Sequence, residues 1–385
     1  MRSVELFTGA GGLAMGFSKA GFRHEAVLEV DQYACDTIRV NALRNHPLVH
    51  KWRVIQGRVE NFDFTNIDKP VDLVAGGPPC QPFSLGGKHR AFLDSRDMFP
   101  QAARAVRELA PSAFVFENVK GLTRQSFASY FSYIILILSY PEITIKKNET
   151  WEQHLSRLER YHTKGYRSGL TYNVVARVLN AADYGVPQRR ERVFIVGFRS
   201  DVGQKWSFPG ATHSEFALQH AQFVSGEYWE THGVPRRLRP EVPQSTRIRL
   251  TQNHAKIPNM LRPWRTVRDS ISDLPSPRTS NSCPMLNHRV IEGARIYNGH
   301  TGSPYDQPAK TLKAGVHGVP GGENIVVFPN GEYRYFTVRE AARLQCFPDD
   351  YIFHGSWTEC MRQLGNAVPV DLSTVIAQSV RSVIG

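Results

Sequence analysis

Val71-Asp72-Leu73-Val74-Ala75, followed at once by Gly76-Gly77-Pro78-Pro79-Cys80-Gln81-Pro82-Phe83-Ser84, sets an apolar strand directly before a stiff turn. Two prolines before the thiol and one just after it restrict the backbone. A strand ending in a rigid turn is how α/β enzymes present a nucleophile at the carboxyl edge of a sheet. On its chemistry alone the segment reads equally well as a structural turn around a buried cysteine, because free cysteine is usually a small core hydrophobe. The flanking sequence decides between the two.

On either side, apolar runs alternate with amphipathic stretches. Val4-Glu5-Leu6-Phe7, Glu25 to Val30, Ala113-Phe114-Val115-Phe116 and Arg192 to Gly197 read as further strands, the pattern of a parallel sheet with crossover helices. Residues 123–165 read as an insertion. Within them Thr150-Trp151-Glu152-Gln153 is a capping box, Trp151, Leu155 and Leu158 share a helical face, and Gly165 supplies a stop. That helix is read as packing rather than chemistry. From about residue 201 to 333 the chain is rich in Pro, Gly, Arg, His and Asn, as expected of a loop-heavy region whose surface carries function. Patterning resumes with a helix opening at Thr337-Val338-Arg339-Glu340, and the chain ends in a helix from Asp371 to about Val383.

With 385 residues the chain can bury one large core or two, and 41% hydrophobic residues is ordinary for a globular protein. Lys and Arg number 47 against 35 Asp and Glu, a net charge of +12. That excess suits a polyanion partner equally with a merely soluble basic protein. The five cysteines, at 35, 80, 283, 346 and 360, are scattered without a Cys-x-x-Cys pair, so neither a zinc site nor a disulfide framework is expected. A reducing compartment follows. The first residues lack the apolar core of a signal peptide, and the longest apolar run, Tyr133 to Leu138, is too short to span a bilayer. A cytoplasmic protein is expected.

Three further patterns carry chemistry. Phe7-Thr8-Gly9-Ala10-Gly11-Gly12 follows the first strand, where glycines let a ligand approach the backbone, although a plain tight turn fits as well. Glu29, seventeen residues after Gly12 at the end of the second strand, stands where an acid binds ribose hydroxyls. Glu117 in Phe116-Glu117-Asn118-Val119 closes a buried strand, either as a working carboxyl or as an ion-paired structural one. In Gln188-Arg189-Arg190-Glu191-Arg192, Arg190 and Arg192 would face the same way on extended backbone, near the catalytic edge or merely on a solvated basic rim.

In this order the glycine turn, Glu29, Pro79-Cys80-Gln81, Glu117-Asn118-Val119 and Gln188-x-Arg190-x-Arg192 resemble the DNA cytosine-5 methyltransferases. Arg339 to Asp349 and Gln363-Leu364-Gly365-Asn366-Ala367-Val368-Pro369 extend the resemblance to the C-terminus. It covers residues 1–122, 173–200 and 334–385, and implies a Rossmann-like α/β methyltransferase domain over 1–200. It further implies a small target-recognition domain over 201–333 and a return segment, 334–385, completing the first domain.

The implied activity is transfer of a methyl group from S-adenosyl-L-methionine to C5 of a flipped-out cytosine in a specific duplex sequence. Cys80 as thiolate would add to C6, Glu117 would act at N3, Arg192 would hold the base near O2, and Arg190 would lie nearby on a phosphate or loop. For the cofactor the resemblance implies Phe7 on the adenine face, the backbone of Gly9, Gly11 and Gly12, Glu29 on the ribose with Val30 beside it, Pro79 lining the pocket, and Asn366 near the methionine end. Met98 is the apolar adenine contact if Asp94-Ser95-Arg96-Asp97-Met98-Phe99 is a shortened form of the family's Asp-x-Arg-Gly-x-Leu-Phe. Gly57-Arg58-Val59 departs from the usual Gly-Asp-Ile, losing an acceptor for the adenine amino group.

For double-stranded DNA, Ser84, Gly86, Gly87, Lys88 and Arg90 resemble the loop that closes over the base. Thr311 and Leu312 resemble a pair beside the extruded base, Gly321 and Gly322 a recognition loop. Arg236, Arg237, Arg239, Arg262, Arg265 and Arg268 are read as phosphate ligands or solvated surface. The expected protein is a monomeric bacterial modification enzyme, with a restriction endonuclease as genetic partner only, and with neither metal nor membrane. The alternatives are a tRNA cytosine-5 methyltransferase, whose characteristic Cys-Phe-Thr segment is absent, and an inactive DNA-binding homologue, against which Cys80, Glu117, Arg190 and Arg192 all speak.

Overall fold

Alternating apolar residues on both faces of the strands dictate a sheet covered on both sides. The computed structural model describes residues 1–68, 70–79, 97–165, 168–252, 261–277, 285–314 and 324–385. Among them, β1 (Arg2–Leu6), β2 (Arg23–Glu29), β3 (Val54–Gln56), β4 (Leu73–Gly76), β5 (Ala113–Val119), β6 (Tyr172–Asn180) and β7 (Glu191–Arg199) form one sheet in the order β3-β2-β1-β4-β5-β7-β6. Val4, Leu6, Val74, Phe114, Phe116 and Ile195 face one core, with side chains from α3 (Phe99–Leu109), α4 (Ala128–Ser139) and α5 (Trp151–Thr163). Leu73, Ala75, Val115, Phe194 and Val196 face the other, against α1 (Gly12–Lys19) and α12 (Val370–Ile384). This period-2 division gives the sheet two hydrophobic faces.

The strands β3, β2, β1, β4 and β5 run parallel, but β7 is antiparallel to both β5 and β6. The expectation of a parallel sheet is corrected at this end. Only residues 181–190 join β6 to β7, too few for a helical crossover. The consequence is functional: β7 begins, rather than ends, at the edge where the parallel strands finish.

The stretch read as an insertion is part of the core. In α4, Ile134, Ile137 and Leu138 are buried on the sheet, and α5 carries the expected capping box between Thr150 and Gln153, with Leu155 and Leu158 buried.

Beyond the sheet, elements are short. They include α2 (Gln32–Leu43) between β2 and β3, then β8 (His213–Ser214), α6 (Glu215–Phe223), α7 (Glu227–Thr231), α8 (Gln244–Gln252), β9 (Arg262–Pro263), α9 (Val267–Ile271), β10 (Ser303–Pro304), β11 (Ile325–Val327) and β12 (Tyr333–Tyr335). Ala182, Leu218, Ala221, Tyr228, Trp229 and Trp264 form a small cluster there. Val267, Ile271, Ala309, Leu312 and Val326 share a larger core with Ala10, Val27, Phe336 and Leu364, so hydrophobic contact crosses residues 200 and 333.

The last residues fold back. α10 (Val338–Leu344) starts at a Thr337–Glu340 capping box, and α11 (Trp357–Asn366) follows. In α12, Ser373 Oγ donates to Leu13 O at 2.6 Å, while Tyr351 donates its hydroxyl to Ala10 O at 2.9 Å. Among the described residues no helix is long and apolar enough to cross a membrane.

Candidate active site

The order of strands reverses between β1 and β4, and in open α/β sheets that switch point opens the ligand crevice at the carboxyl ends. The chain after β1, the end of β2, the Pro-Pro turn after β4 and the end of β5 all lie on this edge.

Phe7 has φ +54°, a left-handed conformation rare for an aromatic residue and a sign of a constrained turn. Gly9 has φ +56°, and a Cβ added there would meet nothing within 4 Å. A Cβ at Gly11 would meet the Trp52 ring at 2.8 Å and one at Gly12 the Val368 carbonyl at 2.3 Å, so of these glycines only Gly9 presents bare backbone to open space. Its N–H donates to Glu29 Oε2 at 2.7 Å, while Glu29 Oε1 accepts from Val30 N and Asp31 N, each at 2.8 Å. Burial pushes the Glu29 carboxyl above its ordinary value, against the pull of those three N–H groups. A carboxylate has about four acceptor directions, so Oε2 keeps one for a hydroxyl. Val30 is exposed, Met98 is buried, and Pro79 is exposed. Asn366 is exposed at the end of α11, while the adjoining Ala367 and Val368 pack on Gly12. Open backbone, a free carboxylate position and apolar flanks fit a nucleoside.

On β5, Glu117 and Val119 share a face, and Val119 stands opposite Arg192 of β7. This diagonal brings Arg192 Nε within 2.9 Å of Glu117 Oε1, with both side chains largely withdrawn from water. Burial raises the Glu117 carboxyl above the usual range, although Arg192 and then Arg190 pull it down. The group is therefore poised to hold a proton in a cleft. The neighbouring Asn118 donates from Nδ2 to Pro78 O at 2.8 Å, and its Oδ1 accepts from Val119 N at 2.9 Å. Asn118 so ties the turn that leads to Cys80 to the strand carrying Glu117. Only its place beside Glu117 in the sequence pointed to it. Cys80 itself lies outside the described residues, as do Ser84, Lys88, Gly321 and Gly322.

Arg190, expected on a phosphate or a loop, is fully buried and takes the second of these places. Its guanidinium donates to Gly365 O at 2.7 Å and Leu312 O at 3.3 Å. The neighbouring Gln188 takes Leu312 N on Oε1 at 3.1 Å and donates to Leu344 O at 3.2 Å. Arg189 N donates to Ala309 O at 2.8 Å, Ala309 N to Pro187 O at 2.9 Å, and Thr311 Oγ1 to Arg189 O at 2.7 Å. Residues 187–190 thus clamp the segment 309–312 and the end of α11 together. Gly365 has to be glycine, because a Cβ would approach Ala314 N to 2.3 Å. Leu312, expected beside a base, is 1% exposed and belongs to the core, whereas Thr311 is half-buried.

Arg262 and Arg265 are exposed on either side of buried Trp264, whose Nε1 donates to Asp183 Oδ1 at 3.0 Å. Arg236 and Arg237 are exposed as well. Arg268 is not available to a phosphate: it forms a two-bonded pair with Asp306 at 2.6 and 3.1 Å and lies over the Tyr305 ring.

A family model described as C-5 cytosine-specific DNA methylase matches residues 1–140 and 144–382. The type II methyltransferase M.PspPI of Psychrobacter sp. is 32% identical, over 98% of this chain and 78% of its own length. M.Eco47II of Escherichia coli, also a type II methyltransferase, is 31% identical over 98% and 78%. In fold, the crystal structure of the Dnmt2 methyltransferase of S. pombe superposes with a TM-score of 0.57 over 99% of each chain, at 16% identity.

Proposed function

Because the chain belongs to the C-5 cytosine-specific DNA methylase family, and so is a DNA cytosine-5 methyltransferase, we propose that it methylates one cytosine of a specific duplex sequence, using S-adenosylmethionine, as the modification enzyme of a type II restriction-modification system. The single observation that carries the chemistry is the buried Glu117–Arg192 pair beside the turn anchored by Asn118.

C5 of cytosine is a weak nucleophile, and adding a thiolate across C6 makes it an enamine carbon. Cys80 is assigned that addition. Glu117, held towards its protonated form, gives a proton or hydrogen bond to N3, so that negative charge does not build on the ring. Arg192 keeps Glu117 oriented and offers donors to O2. Once C5 is alkylated, loss of its proton and expulsion of the Cys80 sulfur restore the aromatic ring.

Glu29, the Phe7–Gly12 turn, Val30, Pro79, Met98 and Asn366 would hold the cofactor, which when bound supplies an electrophilic methyl group. Residues 201–333 would form the recognition part, with Arg262 and Arg265 on phosphates and Thr311 near the base. Ser84, Lys88, Gly321 and Gly322 are assigned to DNA on the sequence alone.

Methylation-sensitive sequencing of DNA from expressing cells identifies the target. Duplexes with 5-fluorocytosine at that position should then trap the protein as a denaturation-resistant adduct, since fluorine cannot leave as the proton does. Cys80→Ala should abolish the adduct. An adduct that survives the substitution refutes the assignment, and unmodified cytosines throughout the DNA refute the function.

A further inference from the structure

Pro79 and Met98 meet through their main chains, Met98 N donating to Pro79 O at 3.1 Å. The residue that fixes this junction is Asp97. Its Oδ1 accepts from Phe99 N at 3.3 Å, at the opening of α3, and its Oδ2 accepts from the hydroxyl of Tyr130 on α4. Tyr130 is 5% exposed, and its ring stands edge-on to Trp151 at 5.4 Å and tilted against Tyr133 at 5.8 Å. The Tyr130 hydroxyl thus joins the aromatic hairpin of α4 and α5 to the candidate cofactor pocket.

The neighbouring hydroxyl does different work. His154 Nε2 faces Ile143 O at 2.7 Å, which requires a proton on Nε2, so Nδ1 is the acceptor for the Tyr133 hydroxyl at 3.1 Å. Burial lowers the His154 pKa and favours this neutral form. Tyr133 therefore ties α4 to α5, inside the hairpin. Tyr130 ties the hairpin to Asp97, and through it to Met98 and Pro79.

We infer that Tyr130 and Asp97 are a positioning pair for the nucleoside cofactor, holding Met98 and Pro79 in the spacing the pocket needs. The inference rests on the function proposed above. Removing the Tyr130 hydroxyl leaves the ring packed on Trp151 but takes one donor from the Asp97 carboxylate, whose Oδ1 still accepts from Phe99 N. The Met98–Pro79 junction is then held less firmly.

The test is calorimetric titration of the full chain with S-adenosylhomocysteine, beside thermal melts. Tyr130→Phe should weaken binding about three- to tenfold, the range of one lost hydrogen bond, with little change in melting temperature. Asp97→Asn keeps an acceptor for the hydroxyl and should bind like the unaltered protein. Asp97→Ala should weaken binding at least as much as Tyr130→Phe, and adding Tyr130→Phe to it should cost nothing more. Tyr133→Phe removes the sister hydroxyl and should leave binding intact. Equal affinity of Tyr130→Phe and the unaltered protein overturns the pair. So does an equal loss in Tyr133→Phe, which would mean general loosening of the hairpin. Failure of the unaltered protein to bind the nucleoside refutes the functional reading instead, and this inference with it.

Discussion

Arg190 and Arg192 enter the sheet edge with side chains largely or wholly withdrawn from water, one on main-chain carbonyls and the other on Glu117. Arg262 and Arg265, past residue 200, stand exposed around Trp264. The first pair spends its donors on the protein's own geometry; the second keeps them for something outside. Arginine in the two regions is one residue type used for opposite ends. Burial lowers the Arg190 pKa and that of Arg192, with Glu117 opposing in both, whereas an exposed guanidinium costs little to keep charged.

Arg190→Met should break this comparison hardest. It leaves Leu312 O and Gly365 O without a donor, at about 1–3 kcal/mol for each unsatisfied carbonyl. Thermal melts should fall by several degrees, and the slope of DNA affinity against salt should stay as it was. An unchanged melt with a flatter salt slope would return Arg190 to the phosphates.

Arg262→Gln and Arg265→Gln should do the reverse. Each removes one exposed cation, so binding weakens on all sequences and the logarithmic salt slope drops by about one unit per residue, with the melt unmoved. A changed target site at constant slope would make these side chains readers of base edges.

The comparison also explains what the sequence made legible. The central strands were readable because both faces are covered, which writes long apolar runs such as Ala113 to Phe116. The edge strands were not: no residue of β3 is fully buried, and only two of the nine in β6 are, so neither carries such a run. The reversed direction of β7 follows from a short connection, and composition does not record direction. That Glu29, Glu117 and Arg192 stand at one sheet edge was legible from motif order and strand ends. The inward turn of Arg190 was not, because its partners at Leu312 and Gly365 are 122 and 175 residues away. The core position of Leu312 was hidden for the same reason, being set by contacts distant in the chain.

Glu5 sharpens the contrast at the buried edge. It sits in the middle of β1, wholly buried, and neither carboxyl oxygen has a hydrogen-bond partner among the described residues. Burial alone raises its pKa well above the ordinary value. The folded chain therefore binds a proton that the unfolded chain releases once pH exceeds about 4.3. Stability from this group is full below that pH and declines as pH rises towards the raised folded value. Glu5→Gln, neutral at every pH, should lose this decline. Its melting temperature should exceed that of the unaltered protein by a few degrees at pH 8, with the gap closing at pH 5. Parallel melts across that range would show that Glu5 has a charged partner after all.

The smallest effect is expected at Arg58, where charge is neither buried nor aimed outward at DNA. Its guanidinium is paired with Glu60 Oε1 at 2.7 Å, and the side chain is 59% exposed. The nearby Asp63 is committed to Thr65, accepting from its N and Oγ1 at 2.9 and 2.7 Å. An aspartate at 58 would offer an acceptor to the adenine amino group, which arginine cannot. One such bond is worth about 0.5–1.5 kcal/mol, reduced here by repulsion between the new carboxylate and Glu60. Arg58→Asp should therefore lower the dissociation constant for S-adenosylmethionine only a few-fold, and DNA affinity at fixed salt should barely change. Calorimetric titration of both proteins decides it. Equal cofactor affinities would place residue 58 beyond the adenine's reach, and weaker binding by the aspartate variant would mean that the Arg58–Glu60 pair itself shapes the pocket.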